Sequence, residues 1–345
     1  PQVVAAGKSL LAITLDGITY RYKYQKGAAD FIFEQGKQTN ITLTVKRSAH
    51  SGSYEFELTD CAIVDWVADL DSNGGEARQY YVVHCEEPGT LEQKLAEAKK
   101  DPAKIKNLKI SGMICGVDFQ FMRNSMTSLQ AVNLKESEIA PAWSASIKPQ
   151  GESNFRNVFF GGVAPENNNE RTAIIKEAYP NCSINSSLSA QYNAHEIPDS
   201  AFSGKSTLTY FSFPEKVTKI GGSAFEKCSL LSGALIIPDG VTEIGAYAFY
   251  GCSNLTSLSL PIGLEKIEHH AFYECENLSG TLSIPATVTY IGDSTFYHCR
   301  GFTGQLVLPE NLTYLGGGAF FQCSGFTGDL KIPEGVKTLY ASTFR

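Results

Sequence analysis

Five cysteines, Cys228, Cys252, Cys275, Cys299 and Cys323, recur 23 or 24 residues apart, each three residues after a phenylalanine (Phe225, Phe249, Phe272, Phe296 and Phe320). A thiol serves as nucleophile, metal ligand or redox partner, and each role constrains its neighbours. A metal site needs several ligands converging on one point, typically with pairs spaced C-x2-C, and no two of these cysteines lie that close. Cysteine is also small, apolar and readily buried. The even spacing therefore predicts packing: reduced thiols lined up in a core. The chain has nine cysteines in 345 residues, an odd number that does not describe a small disulfide-stapled scaffold.

Other candidate chemistry is sparse. His269-His270 and His298 lie in the repeats, but no G-x-S-x-G, H-E-x-x-H or supported carboxylate pair accompanies them. The expectation is that the chain is not an enzyme and uses no cofactor. In "DLDSNGGE", Asp69, Asp71 and Asn73 imitate the opening of a calcium loop, yet the twelfth position is Tyr80 instead of glutamate. A polar hairpin turn is expected there, with weak calcium binding the alternative. More suggestive are the residues after each repeat phenylalanine: Tyr250, Tyr273, Tyr297 and Phe321. Stacked repeats align them in an outward aromatic stripe, and Tyr290 and Tyr314 form a second pair in register. Such rings serve either as a protein or sugar contact or as ordinary packing at the edge of a core.

The elements that position these residues follow from the repeat. Phenylalanines at 202, 225, 249, 272, 296, 320 and 344 keep time with prolines at 214, 238, 261, 285, 309 and 333, and a period of this size means a solenoid. Each unit reads V-x-x-I, G, A-F-x-x-C-x-x-L, then L-x-I-P. The L-x-I alternation predicts a strand ended by proline, and A-F-x-x-C has the spacing of a short helical turn. Leu108 and Ile110 match Val132 and Leu134 24 residues on, which predicts an earlier coil, with Asp118 capping a helix. Before it, "TLEQKLAEAKKDP" predicts a helix with a Thr90/Gln93 capping box, serving as the solenoid's N-terminal cap. Residues 135–196 interrupt the pattern as an irregular insertion, with a helix in "NERTAIIKEAYP". Residues 1–87, with alternating segments such as "LLAITLDGITYRYKY" and "RQYYVVHC", predict an antiparallel β-sandwich. The expected architecture is α+β: this sandwich, then a solenoid over 88–345.

The formal net charge of -7 argues against nucleic acid as a partner, and no run of about 18 apolar residues predicts a membrane span.

The segments "KIGGSAFEKCSLL", "IIPDGVTEIGAYAFYGCSNL" and "LSIPATVTYIGDSTFYHC" resemble the leucine-rich repeat of BspA-like surface proteins of Bacteroidetes, over about residues 90–345. "FIFEQGKQTNITLTV" with the later "DW" resembles the closing part of a fimbrillin-like domain. The resemblance implies export to the extracellular or outer-membrane surface of a bacterium, often with a lipid anchor, here upstream of Pro1. It also implies a role in adhesion, with a host protein, another bacterium or a glycan as partner. A structural spacer or fimbria-associated subunit is the alternative.

Overall fold

The computed structural model describes residues 80–345 throughout and, before Tyr80, six strands: β1 (Gln2–Val4), β2 (Ser9–Leu15), β3 (Ile18–Lys23), β4 (Phe31–Phe33), β5 (Asn40–Arg47) and β6 (Tyr54–Ala62). The chain divides into two compact units, Pro1–Tyr80 and Tyr81–Arg345. In the first, β1 pairs with β4, β2 with β3 and β5 with β6, all antiparallel.

Sequence alternation assigns "RQYYVVHC" to the sandwich, and the structure corrects this. Strand β7 (Tyr81–Cys85) belongs to the second unit and pairs in parallel with β8 (Asn107–Ile114), Tyr81 opposite Leu108. A strand with one buried face alternates alike in parallel and antiparallel sheets, so the pattern could not choose the partner. Helix α1 (Leu91–Glu97) joins β7 to β8, and α2 (Gly116–Ser125) joins β8 to β9 (Ala131–Ile139). Helix α1 is thus a crossover between parallel strands and not a terminal cap. Its expected capping box is absent: the Thr90 hydroxyl donates to the Glu87 carbonyl at 2.7 Å and Gln93 donates to Glu97 at 2.8 Å.

The 135–196 insertion is ordered secondary structure, not an irregular excursion. Its first residues complete β9. Beyond them, β10 (Ala142–Lys148), β11 (Arg156–Gly161), α3 (Asn168–Ala178) and β12 (Ser183–Tyr192) follow, the strands forming an antiparallel sheet in the order β11-β10-β12. Trp143, Ile147, Val158, Ile175 and Cys182 form a small core of its own, with Trp143 stacked on Phe160 at 4.4 Å. The Asn-, Ser- and Gly-rich composition of the segment hid this.

The repeats then run to the C-terminus. Two-residue strands β13 (Glu196–Ile197), β15 (Lys219–Ile220), β17 (Glu243–Ile244), β19 (Lys266–Ile267), β21 (Tyr290–Ile291) and β23 (Tyr314–Leu315) form one six-stranded parallel sheet. On a second side, β14 (Tyr210–Ser212) pairs with β9, β16 (Gly233–Ile236) with β18 (Leu255–Ser259), and β20 (Ser279–Gly280) with β22 (Gly301–Phe302). The repeat prolines from Pro238 to Pro333 open the turn between the two sides, the carbonyl of each accepting from the residue three on, as Pro238 does from Val241 at 3.0 Å. The phenylalanines stack from Phe202 to Phe344 with centroids 5.2–5.9 Å apart.

The A-F-x-x-C segment is a chain of turns and not a helical turn. Two residues of this segment take left-handed backbone in successive coils, such as Tyr247 (φ 59) and Gly251 (φ 70). This rotates the intervening N–H groups toward the next coil. Phe225, Phe249 and Phe272 donate to Ala248, Ala271 and Thr295 at 2.7–2.9 Å, so backbone groups that a helix would satisfy internally bond between coils.

Candidate functional site

The thiol ladder is buried. Cys228, Cys252, Cys275 and Cys299 are fully enclosed and Cys323 is 8% exposed, and the described cysteines are all free. Each repeat thiol donates to the carbonyl of the preceding coil's phenylalanine, as Cys252 does to Phe225, Cys275 to Phe249 and Cys299 to Phe272, at 3.1–3.2 Å. The position therefore selects a residue that is both small and a donor, a preference that alanine cannot meet. Burial drives the thiol pKa up, to about 12 for Cys228 and Cys323. These sulfurs stay protonated and unreactive. Among the described residues no group of three or more His, Cys, Asp or Glu is placed to hold a metal. Asp69, Asp71 and Asn73 lie outside the described residues.

The aromatic stripe is assembled as its spacing predicts. Tyr250, Tyr273, Tyr297 and Phe321 stack at centroid distances of 4.9, 4.5 and 4.6 Å, with interplanar angles of 11° or less. All four are half-buried. The left-handed residue before each phenylalanine adds a second column that the sequence reading missed. Tyr247 stacks on His270 at 4.7 Å, and His270 leans on Tyr273 at 5.4 Å. His269 meets the Tyr247 ring edge-on, and His298 packs on Tyr297 at 4.2 Å. The signal available was the register of His270 with Tyr247, each two residues before its phenylalanine. Eight rings from four successive coils thus form one patch. Their faces are turned to one another, so the patch presents ring edges and hydroxyls. Burial, and then the neighbouring tyrosines, raise the Tyr273 pKa, keeping its hydroxyl a donor.

A family model for the BspA type leucine-rich repeat region matches in six copies, at residues 172–303 and 233–345, together half of the chain. The chain belongs to this family. No curated protein matches it. Among solved structures, it is similar to a leucine-rich repeat protein of T. pallidum (35% identity, 35% of this chain and 55% of that one, TM-score 0.32). It is also similar to a leucine-rich cell surface protein of Faecalibacterium prausnitzii (28%, 41% and 44%, 0.34) and a leucine-rich repeat protein of Bacteroides ovatus (16%, 88% and 89%, 0.27). The chain spans about half the length of the first two.

Within the BspA-type repeats, Tyr290 and Tyr314 occupy the six-stranded sheet and stack at 4.6 Å. They continue a cross-strand file in which Lys219 pairs with Glu243 at 2.9 Å and the Lys266 ammonium sits 5.0 Å from the Tyr290 ring. Tyr314 donates to Asp293 at 3.2 Å, and burial with that carboxylate pushes its pKa up to about 12. Every member of this file already has a partner, which is how cross-strand pairs stabilise a sheet. On the solenoid's second side, Ser259 of β18 is exposed and so is Ser283, which lies beyond β20 and outside any strand, but Ser212 of β14 is 6% exposed, opposite Asn133 of β9. Among the described residues no helix is long and apolar enough to cross a membrane.

Proposed function

We propose that the chain is a non-enzymatic binding protein displayed on a bacterial surface, an adhesin whose contact face is the eight-ring patch around Tyr250, Tyr273, Tyr297 and Phe321. The carrying observation is that four coils deliver half-buried aromatic rings to one face, a residue class enriched in binding hot spots. The fold supplies a rigid lattice beneath them. Because each ring covers its neighbour's face, little remains for the flat stacking by which aromatics hold sugars, and this favours a protein partner over a glycan. Tyr290 and Tyr314 are read as structural, since their file is satisfied within the sheet. That satisfied file also favours the second reading, in which the solenoid is a spacer. The N-terminal unit is read as a fimbrillin-like β-module.

The test is the double substitution Tyr273→Ser with Tyr297→Ser, assayed on arrays of host matrix proteins, bacterial cells and glycans. Binding to a protein found by the wild type should weaken by more than about 2 kcal/mol, while the melting transition stays nearly unchanged. A large drop in melting temperature, with binding lost only in proportion to unfolding, would show the rings to be core packing. Capture of glycans alone would overturn the choice of partner.

A further inference from the structure

The geometry points to a second copy of this chain as a partner of the aromatic patch, the two solenoids lying face to face and antiparallel about a two-fold axis between the coils of Phe272 and Phe296. The inference rests on the reading of that patch as a contact face, and adds what it contacts.

Its basis is a self-complementarity that runs through every column of the patch. The rings are spaced 4.5–4.9 Å along the stack, the separation of neighbouring strands. A peptide advancing about 3.3 Å per residue falls out of step with such a row, whereas a second solenoid keeps step along its whole length. A two-fold axis at this place sets Tyr273 opposite the partner subunit's Tyr297, and Tyr250 opposite the partner subunit's Phe321. The next column tapers in size along the solenoid, from Tyr247 and His270 to Ser294 and Gly318. Reversal therefore places each large ring against a small residue. At Gly318 no side chain fills the gap, and Ser294 Oγ lies only 3.2 Å from where a Cβ would stand.

Charge follows the same symmetry. Glu274 and His298 occupy equivalent positions two residues after their phenylalanines, in the two coils that the axis relates. Each Glu274 thus meets His298 of the partner subunit, and the pairing occurs twice, as an isologous contact requires. None of these complementarities holds for a parallel arrangement in which like coils meet.

Sedimentation equilibrium of the chain from nanomolar to submillimolar concentration should show a monomer–dimer equilibrium. Ser294→Tyr places a ring where Tyr247 already stands in an equivalent coil, so the variant should fold with an unchanged or raised melting temperature while its dimer dissociation constant rises at least tenfold. Glu274→Lys should weaken the dimer several-fold, and adding His298→Glu should restore it. A chain that stays monomeric throughout, a dimer untouched by Ser294→Tyr, or a charge swap that fails to restore association would each overturn the proposal. A monomeric wild type that still loses a protein ligand on mutation of Tyr273 and Tyr297 would sink the homotypic contact alone. A melting collapse in that double variant would sink the contact face itself.

Discussion

The coils before and after the 135–196 insertion solve one problem in two ways. Every coil must return its chain from one strand to the next and satisfy the backbone groups of the return. The early coils return through helices α1 and α2. A helix end leaves unpaired N–H groups at its start and carbonyls at its finish, and buried polar side chains meet them here. Asp118, 1% exposed, accepts from the N–H groups of Gly89, Leu91 and its own Cys115 at 2.8–3.1 Å, so one carboxylate serves the starts of both helices. Lys205, 7% exposed, donates to the carbonyls of Met122, Arg123 and Met126 at the end of α2. The later coils return through turns whose N–H groups bond to the next coil, and a single thiol finishes the work. Lys205 stands three residues after Phe202, in the repeat's cysteine position. It is lysine there because the coil beneath ends in helix carbonyls instead of a phenylalanine carbonyl. A turn-based coil is self-similar and can be repeated, whereas a helical coil needs a specific charge at each end.

The largest test of this contrast lies in the stack itself. Phe272 is fully enclosed and ringed by its neighbours, and Phe272→Ala should cost about 3–5 kcal/mol in chemical denaturation. Phe344, 38% exposed, should cost under about 1 kcal/mol when cut to alanine. Equal losses would mean that the coils do not support one another as stacked.

Next in size is the junction. Lys205→Met should cost about 2–3 kcal/mol, because it strands helix carbonyls that a charged donor now satisfies. The sharper variant is Lys205→Cys, which restores the repeat's own residue and should be as damaging. A neutral Lys205→Cys would show the two ways of closing a coil to be interchangeable.

The smallest effect is expected on the ladder. Cys275→Ala should cost about 1–2 kcal/mol for a small cavity and one weak donor. Thiol reagents at pH 8 should leave Cys228, Cys252, Cys275 and Cys299 untouched in native protein and modify all of them in denaturant, since burial holds those pKa values far above the working pH. Rapid native modification would rule out the enclosed ladder.

By itself the sequence determined whatever recurs. Residues at equal places in successive coils meet one another, so the phenylalanine stack, the cysteine file, the Tyr250–Phe321 stripe and the Tyr290–Tyr314 pair were all legible from spacing alone. Tertiary structure decided the contacts between unlike positions. It assigned Tyr81–Cys85 to a parallel sheet and gave the insertion its own core around Trp143. It joined Lys205 to Met122 across 83 residues of chain, and turned the ring faces inward on one another. No local pattern encodes these, because each depends on which non-equivalent neighbour the fold brings near. A buried carbonyl or N–H group must then be paired with whatever donor or acceptor that neighbour supplies.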